Sequence, residues 1–396
     1  MMSCAKGPLS DPIHPHEQVA PRGERPIQSV VKKPVWPAFD LIKCICAVGM
    51  VLVHGFYWTW TMHGSFILPP DSFWFIVFQR GMFLGVCPLT LPFLAGAALR
   101  LRYSQPSDVR VPAKMLGMLA LQSALLAALG YAMNVLAAGW YVLWAWNVLQ
   151  LIAVSFLLIG TLYLSKSILP VAALGVLVLA LTEPLRDGLP DQDRNAIFRV
   201  MLGDRLDWHQ WPIFPWSATV AFGFVLADAY SRFRRERFVW GCTVSGLVLT
   251  SLAGLLGRII PVFDPKNLIG SQIMVPPPET VLGIVGVLML LFAGLTAIQS
   301  RLHFSRRGIV RCFSGGILWI YLVHVIIGVR LSDIIFNHFD HASIVTALSQ
   351  GWHPVFMIAF PALLLLLSWG VGYCTVVWLH DKRVSIRLRR VGVARA

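Results

Sequence analysis

The chain has 396 residues, of which 57% are hydrophobic and only 13% charged, and it carries a net charge of +14. A soluble globular domain carries about a quarter charged residues, so an ordinary soluble fold is excluded; its surface would expose large apolar patches. The basic excess does not point to nucleic acid. Lysine and arginine fall in short clusters between apolar runs, which is the pattern of membrane topology.

Residues 1–35 are polar and rich in proline, without the apolar core of a signal peptide, and predict a disordered cytoplasmic tail. Ten apolar segments come next, each near the roughly 20 residues that span a bilayer. They predict helices over 38–60, 76–99, 112–138, 144–164, 167–182, 212–231, 238–257, 280–300, 313–331 and 354–380. The fold class is therefore an all-α integral membrane protein, a bundle of about ten transmembrane helices. The fifth segment is short, so nine or eleven also fit. The membrane domain occupies 36–381, and 382–396 form a basic cytoplasmic tail. Pro88, Pro92, Pro215 and Pro361 fall inside or at the edge of helices, where neighbouring helices re-satisfy the freed backbone groups. In Trp211-Pro212-Ile213-Phe214-Pro215-Trp216, two prolines predict a kinked, rigid start to the sixth helix.

Orientation follows from the basic residues. With the N-terminus inside, 24 of the 33 lysines and arginines fall in cytoplasmic segments and eight in outer ones, with Lys43 inside the first helix. This split places both termini in the cytoplasm and leaves long outer loops at about 183–211, 258–279 and 332–352. The seven cysteines include no CxxC pair, so neither a disulfide framework nor a metal site is predicted.

Ionisable side chains inside a spanning helix are costly and usually line a bundle interior or a cavity. In the first helix Asp40, Lys43, Ala47, Met50 and His54 recur at intervals of 3, 4, 3 and 4 and share one face. Asp40 and Lys43 lie at its cytoplasmic end, where a local ion pair suffices to explain them. His54 lies fourteen residues further on, about 21 Å along the axis, in the outer half of the membrane. His324, in the ninth helix, has a similar depth, with Tyr321 one turn away. Asn147 and Gln150, near the outer start of the fourth helix, and Arg80, which opens the second, occupy the same layer. Polar groups from four helices thus converge as expected of a buried polar site. Either histidine could instead be a hydrogen-bonded packing residue, and Asn147 and Gln150 interhelical glue.

Four segments, taken in order, resemble the transmembrane acyltransferase superfamily, which includes the acyltransferase-3 proteins and bacterial relatives of heparan-alpha-glucosaminide N-acetyltransferase. They are FDLIKCICAVGMVLVHGFYW at 39–58, CPLTLPFLAGAALRLR at 87–102, WNVLQLIAVSFLL at 146–158 with FPWSATVAFGFVLAD at 214–228, and ILWIYLVHVIIGVRL at 317–331. The acyltransferase-3 pattern of Arg, ten residues and His is met here by Lys43, ten residues and His54. The lysine keeps the charge but loses the bidentate fork.

The resemblance implies a membrane acyltransferase that takes an acyl group, most often acetyl, from cytoplasmic acyl-CoA. The group passes to a sugar, glycoconjugate or other hydroxyl or amine at the outer face, as in modification of cell-envelope carbohydrate. Acyl-CoA is then a co-substrate and no cofactor is permanently bound. The resemblance also implies a multi-pass protein of the bacterial inner membrane. It makes His54 the catalytic histidine, as general base or covalent relay, with His324 beside it and Asp40, Lys43, Arg80, Asn147, Gln150 and Tyr321 in support. The cytoplasmic arginines Arg100, Arg102, Arg232, Arg234 and Arg235 are candidates to hold the CoA phosphates. Two other readings stand beside this one. A transporter or exporter of a lipid-linked or small polar substrate would use the polar layer as a substrate or proton site, although no internal repeat supports it. A relative acting on a peptide amine would differ only in its acceptor.

Overall fold

The computed structural model describes residues 36–61, 90–103, 112–189, 195–203, 211–256, 276–305, 308–338 and 353–393. Every regular element among them is helical. In chain order they are α1 (Pro37–Thr61), α2 (Leu91–Arg102), α3 (Pro112–Ala138), α4 (Val148–Tyr163), α5 (Leu169–Gly188), α6 (Ala196–Leu202), α7 (Ile213–Arg232), α8 (Arg235–Leu255), α9 (Pro278–Ala297), α10 (Ile309–His338) and α11 (His353–Val393). The chain is an all-α integral membrane protein. Among the described residues, eight helices are long and apolar enough to cross a membrane: α1, α3, α5 and α7 to α11. The fourth predicted span is met by α4, which is apolar but 16 residues long. The second is met by α2, with 12 residues, while 76–89 lie outside the described residues. The tail 1–35 lies outside them too.

Several boundaries differ from the sequence expectation for identifiable reasons. Pro92 sits in the first turn of α2, at the edge of a helix as expected, and Pro37, Pro112, Pro170 and Pro278 open α1, α3, α5 and α9 in the same way. A first-turn proline gives up an N–H that has no helical partner anyway. The fourth helix starts at Val148, later than expected, because Trp140–Val142 form a separate 3-10 turn and Asn147 caps the N-terminus of α4. The loop after α5 contains α6, which was not expected. Its cap is Asn195, whose Oδ1 accepts from the Ile197 and Phe198 N–H groups at 3.0 and 3.2 Å. Gly203, at φ +88°, comes directly after its last residue. The expected kink at the sixth span is present: Phe214, between the two prolines, has non-helical φ −98° and ψ 122°. The last helix continues to Val393, through most of the predicted basic tail.

Apolar burial cannot hold helices together in lipid, so close backbone approach and polar contacts must. Helices α2 and α7 meet through Gly96 and Gly223. A Cβ on Gly96 would lie 1.9 Å from the Val220 carbonyl oxygen, and one on Gly223 would lie 1.9 Å from that of Phe93. The interior beside them holds Phe93, Trp216, Phe292 and Met50, while Leu121, Leu125, Leu247, Val248 and Leu366 point outward as lipid-facing side chains.

The helix ends sort into two groups. At one end Trp36, just before α1, donates from Nε1 to Thr296 Oγ1 of α9 at 3.2 Å and stacks on Tyr230 of α7 at 4.0 Å. Arg235 of α8 donates to the Thr296 and Ala297 carbonyls, Arg100 of α2 pairs with Asp228 of α7, and Arg311 of α10 pairs with Asp40 of α1. We call this the basic end. At the other end Trp146, before α4, donates to the Trp211 carbonyl, before α7, at 2.8 Å. Arg186 of α5 donates to the carbonyls of Leu202, Phe214 and Pro276 at 3.3, 3.3 and 3.0 Å, and Arg330 of α10 to that of Leu136 of α3 at 2.8 Å. Helices therefore run alternately between the two ends, and α1, α3 and α10 run the same way.

Candidate active site

Helices α1 and α10 pack side by side and touch through polar groups at two levels. At the basic end Asp40 accepts from Lys43 Nζ at 3.2 Å, from Ser314 Oγ at 3.3 Å and from Arg311 Nη1. Lys43 also lies over the Phe39 ring, 4.7 Å from its centroid. The Asp40–Lys43 pair was expected, but Arg311 and Ser314 were not. Fourteen residues beyond Asp40 and thirteen beyond Arg311, the helices meet again through His54 and His324. These spacings correspond to about 21 and 20 Å of rise, so one register satisfies both levels.

The histidines are in direct contact. His54 Nδ1 lies 2.8 Å from His324 Nε2, with the rings nearly parallel at 10° and their centroids 5.1 Å apart. His324 is 1% exposed, and its Nδ1 lies 2.7 Å from the Ile320 carbonyl oxygen. That carbonyl can only accept, so His324 Nδ1 carries the proton. A neutral imidazole has one N–H, so His324 Nε2 offers a lone pair and His54 Nδ1 must donate to it. The chain of donors thus leaves His54 Nε2 as the unprotonated nitrogen, the form a general base or nucleophile requires.

Tyr321 lies one turn from His324. It touches that ring edge-on at 5.7 Å, but the hydrogen bonds go to Ile320 and His54. The indole of Trp58, one turn beyond His54, lies 5.3 Å from the His54 ring and 6.0 Å from that of His324. Its six-membered ring rests on the backbone of Gly328, where a Cβ would meet Trp58 carbons at 1.8, 2.3 and 2.5 Å. Trp58 escaped the sequence reading because a tryptophan near a helix end is explained by the interfacial belt alone.

Asn147 and Gln150 form a polar cluster of their own with Asn134. Asn147 Oδ1 accepts from the Leu149 N–H at 2.9 Å and Gln150 Oε1 from the Asn147 N–H at 3.2 Å, a capping box that opens α4. Asn147 Nδ2 donates to Asn134 Oδ1 at 2.7 Å, and Asn134 Nδ2 to the Ala145 carbonyl at 2.6 Å. Among the described residues no hydrogen bond joins this cluster to the histidines. Arg80 lies outside the described residues.

All five arginines expected to face CoA sit at the basic end, in different situations. Arg100 is 6% exposed, held by Asp228 at 2.7 Å and lying over the Tyr163 ring at 5.3 Å. Arg232 shares Asp228 at 2.8 Å from a half-exposed position. Arg235 is turned to the carbonyls that end α9. Arg102 and Arg234 are exposed. The buried carboxylate of Asp228, which gathers two of these arginines, was not recognised from the sequence.

No curated protein matches the chain. A family model does: that of heparan-alpha-glucosaminide N-acetyltransferase, catalytic, over residues 36–259. The match begins at Trp36, spans α1 to α8 and includes His54, Asp228 and the Asn134–Asn147–Gln150 cluster, whereas α10 with His324 lies beyond it. Because it covers more than half of the chain, the protein belongs to this family of membrane acetyltransferases.

Proposed function

We propose that the protein transfers an acetyl group from cytoplasmic acetyl-CoA to an amine or hydroxyl of a sugar at the opposite face of a bacterial inner membrane. The observation that carries this reading is the hydrogen-bonded chain from the Ile320 carbonyl through His324 to His54, which leaves His54 Nε2 free inside the bundle. The donor class follows the family. The direction follows the positive-inside rule, which turns the basic end to the cytoplasm.

His54 Nε2 accepts the proton of the acceptor's amine or hydroxyl as that atom attacks the thioester carbonyl. The tetrahedral intermediate collapses, the C–S bond breaks, and the CoA sulfur leaves with the proton returned by His54. His324 holds the imidazole in the tautomer that keeps Nε2 unprotonated and stabilises the imidazolium formed during attack, the part an orienting group plays in a catalytic triad. Lys43, Asp40 and Tyr321 support the dyad from the same two helices. The exposed arginines Arg102, Arg232 and Arg234 offer charge to the CoA phosphates at the basic end.

The test is transfer of labelled acetyl from acetyl-CoA to amino-sugar and hydroxyl acceptors in membranes matched for protein. The wild-type chain transfers label. His54→Ala, inserted normally, loses about 10²–10⁴-fold in rate, as for a missing general base. A His54→Ala protein with wild-type turnover removes the mechanism and returns the polar layer to the transporter reading.

A further inference from the structure

Every amide group in the Asn134–Asn147–Gln150 cluster is engaged except one. Asn147 Oδ1 and Nδ2, Asn134 Oδ1 and Nδ2 and Gln150 Oε1 all have partners. Gln150 Nε2 has none among the described residues, although Gln150 is only 1% exposed. An amide N–H without an acceptor is expensive inside a bundle in lipid. The capping box uses only the oxygen of the amide, and burial in the bundle disfavours the charge of a glutamate, so the amide is neutral and its NH₂ group is left over.

The group is also held in place. Gly130 of α3 lies against it so closely that a Cβ there would meet Gln150 Oε1, Cδ and Nε2 at 2.7, 2.8 and 2.8 Å. One face of the amide is fixed by the helix backbone and its oxygen by the Asn147 N–H. Its depth follows from the Arg330–Leu136 hydrogen bond, which sets α10 against α3. His324 lies six residues before Arg330 and Gly130 six before Leu136 on helices that run the same way. Gln150 Nε2 is therefore level with the histidine dyad to within about one turn, roughly 5 Å. Helix α3 packs on both α4 and α10, so it links the helix that carries the amide to the one that carries His324. Met133, Val148 and Leu149, beside Gly130 and Gln150, share a buried cluster with Tyr321, the neighbour of His324.

We propose that Gln150 Nε2 is a specificity-determining donor that binds an oxygen of the acyl acceptor, at a position on the sugar ring remote from the atom that attacks. The inference rests on the acetyltransferase reading and deepens it. In this reading the sugar bridges the two groups: its nucleophile sits at His54 Nε2 and a hydroxyl or ring oxygen sits at Gln150.

Gln150→Glu tests this beside Gly130→Ala: the first keeps an oxygen that can close the capping box and replaces the NH₂ group with a carboxyl whose charge is costly at this buried site, and the second moves the amide without adding charge. The full-length protein is assayed with labelled acetyl-CoA and methyl α-D-glucosaminide, varying each in turn, and its thermal unfolding is followed. A binding role raises the acceptor KM about tenfold or more in both variants, with the acetyl-CoA KM and kcat little changed, while the buried carboxyl of Gln150→Glu lowers the melting temperature on its own account. A purely structural role leaves the acceptor KM at its wild-type value and overturns the proposal. If Gln150→Glu does not fold, Gly130→Ala replaces it; that change displaces the amide without altering its chemistry and must also raise the acceptor KM, and a folded Gly130→Ala with a normal KM refutes the proposal. A wild-type protein that acetylates no acceptor overturns the acetyltransferase reading and this inference together. Wild-type transfer with an indifferent Gln150→Glu overturns the inference alone.

Discussion

Replacing Gly328 by alanine adds one methyl group in the second layer of the site and should reach the chemistry through Trp58. The new Cβ would stand 1.8 Å from the nearest Trp58 ring carbon, with two more at 2.3 and 2.5 Å. Carbon atoms rest at about 3.5 Å or more, so the indole or the two helices must separate by about 1.7 Å. The indole lies against α10 at Gly328, 5.3 Å from the His54 ring and 6.0 Å from the His324 ring. A displacement of that size moves the ring into the dyad or moves α1 off α10, and either change lengthens the 2.8 Å contact between the imidazoles. Misplacing a catalytic group by about 1 Å costs on the order of 10²-fold, and that loss in kcat is the expected result. Transfer of labelled acetyl in protein-matched membranes measures it. Trp58→Leu combined with Gly328→Ala removes the clash and should recover much of the loss. Wild-type turnover in Gly328→Ala, or no recovery in the double variant, would refute the packing argument.

The same assay distinguishes the two histidines. His324→Ala removes the acceptor for His54 Nδ1–H and should lower kcat about ten- to a hundredfold with little change in KM, less than the loss from His54→Ala; an equal or larger loss would make His324 the base. Arg100→Ala leaves Asp228, 3% exposed, with only the half-exposed Arg232, and breaking a buried pair costs about 3–5 kcal/mol, so the variant should show reduced folded yield and a lower melting temperature. A stable Arg100→Ala protein whose only defect is a raised acetyl-CoA KM would show instead that Arg100 grips phosphate. Asp40→Asn discharges the clamp at the basic end and should reduce kcat through the dyad while leaving acetyl-CoA affinity intact; normal kcat would separate the clamp from catalysis.

Much of the bundle is legible in the sequence because a bilayer leaves the chain little choice. A backbone segment in lipid must satisfy its own hydrogen bonds, so a long apolar run becomes a helix of known length. Helices α1, α3, α7, α8 and α9 accordingly lie within a few residues of their expected bounds. The short helix α6 escaped because its cause is a single residue, the cap Asn195. In the site, His54 and His324 are visible one helix at a time through depth and face, since a charged or polar stripe on an apolar helix is anomalous by itself. Their contact is not visible, because no local pattern says that α10 rather than another helix lies against α1. Arg311, Ser314 and Asp228 were missed for the same reason. At a helix end a basic residue is already explained by topology, and nothing local distinguishes a cation that faces water from one turned to a carboxylate on another helix.

The pairing of α1 with α10 has a physical logic. In lipid, two apolar helix faces gain little by meeting each other instead of acyl chains, so register along a helix pair must come from small residues and polar contacts. On this pair the polar contacts are the Asp40 cluster and the histidine dyad, about 20 Å apart, with Trp58 fitted to Gly328 one turn past the dyad. A slip of one residue would rotate His324 by about 100° away from His54 and would at the same time part Asp40 from Arg311 and drive Trp58 into a side chain. The features that fix the helices against each other are therefore the same ones that hold the imidazoles 2.8 Å apart. His54 lies within the matched stretch and His324 beyond it, so the dyad joins the first helix of that stretch to a helix outside it.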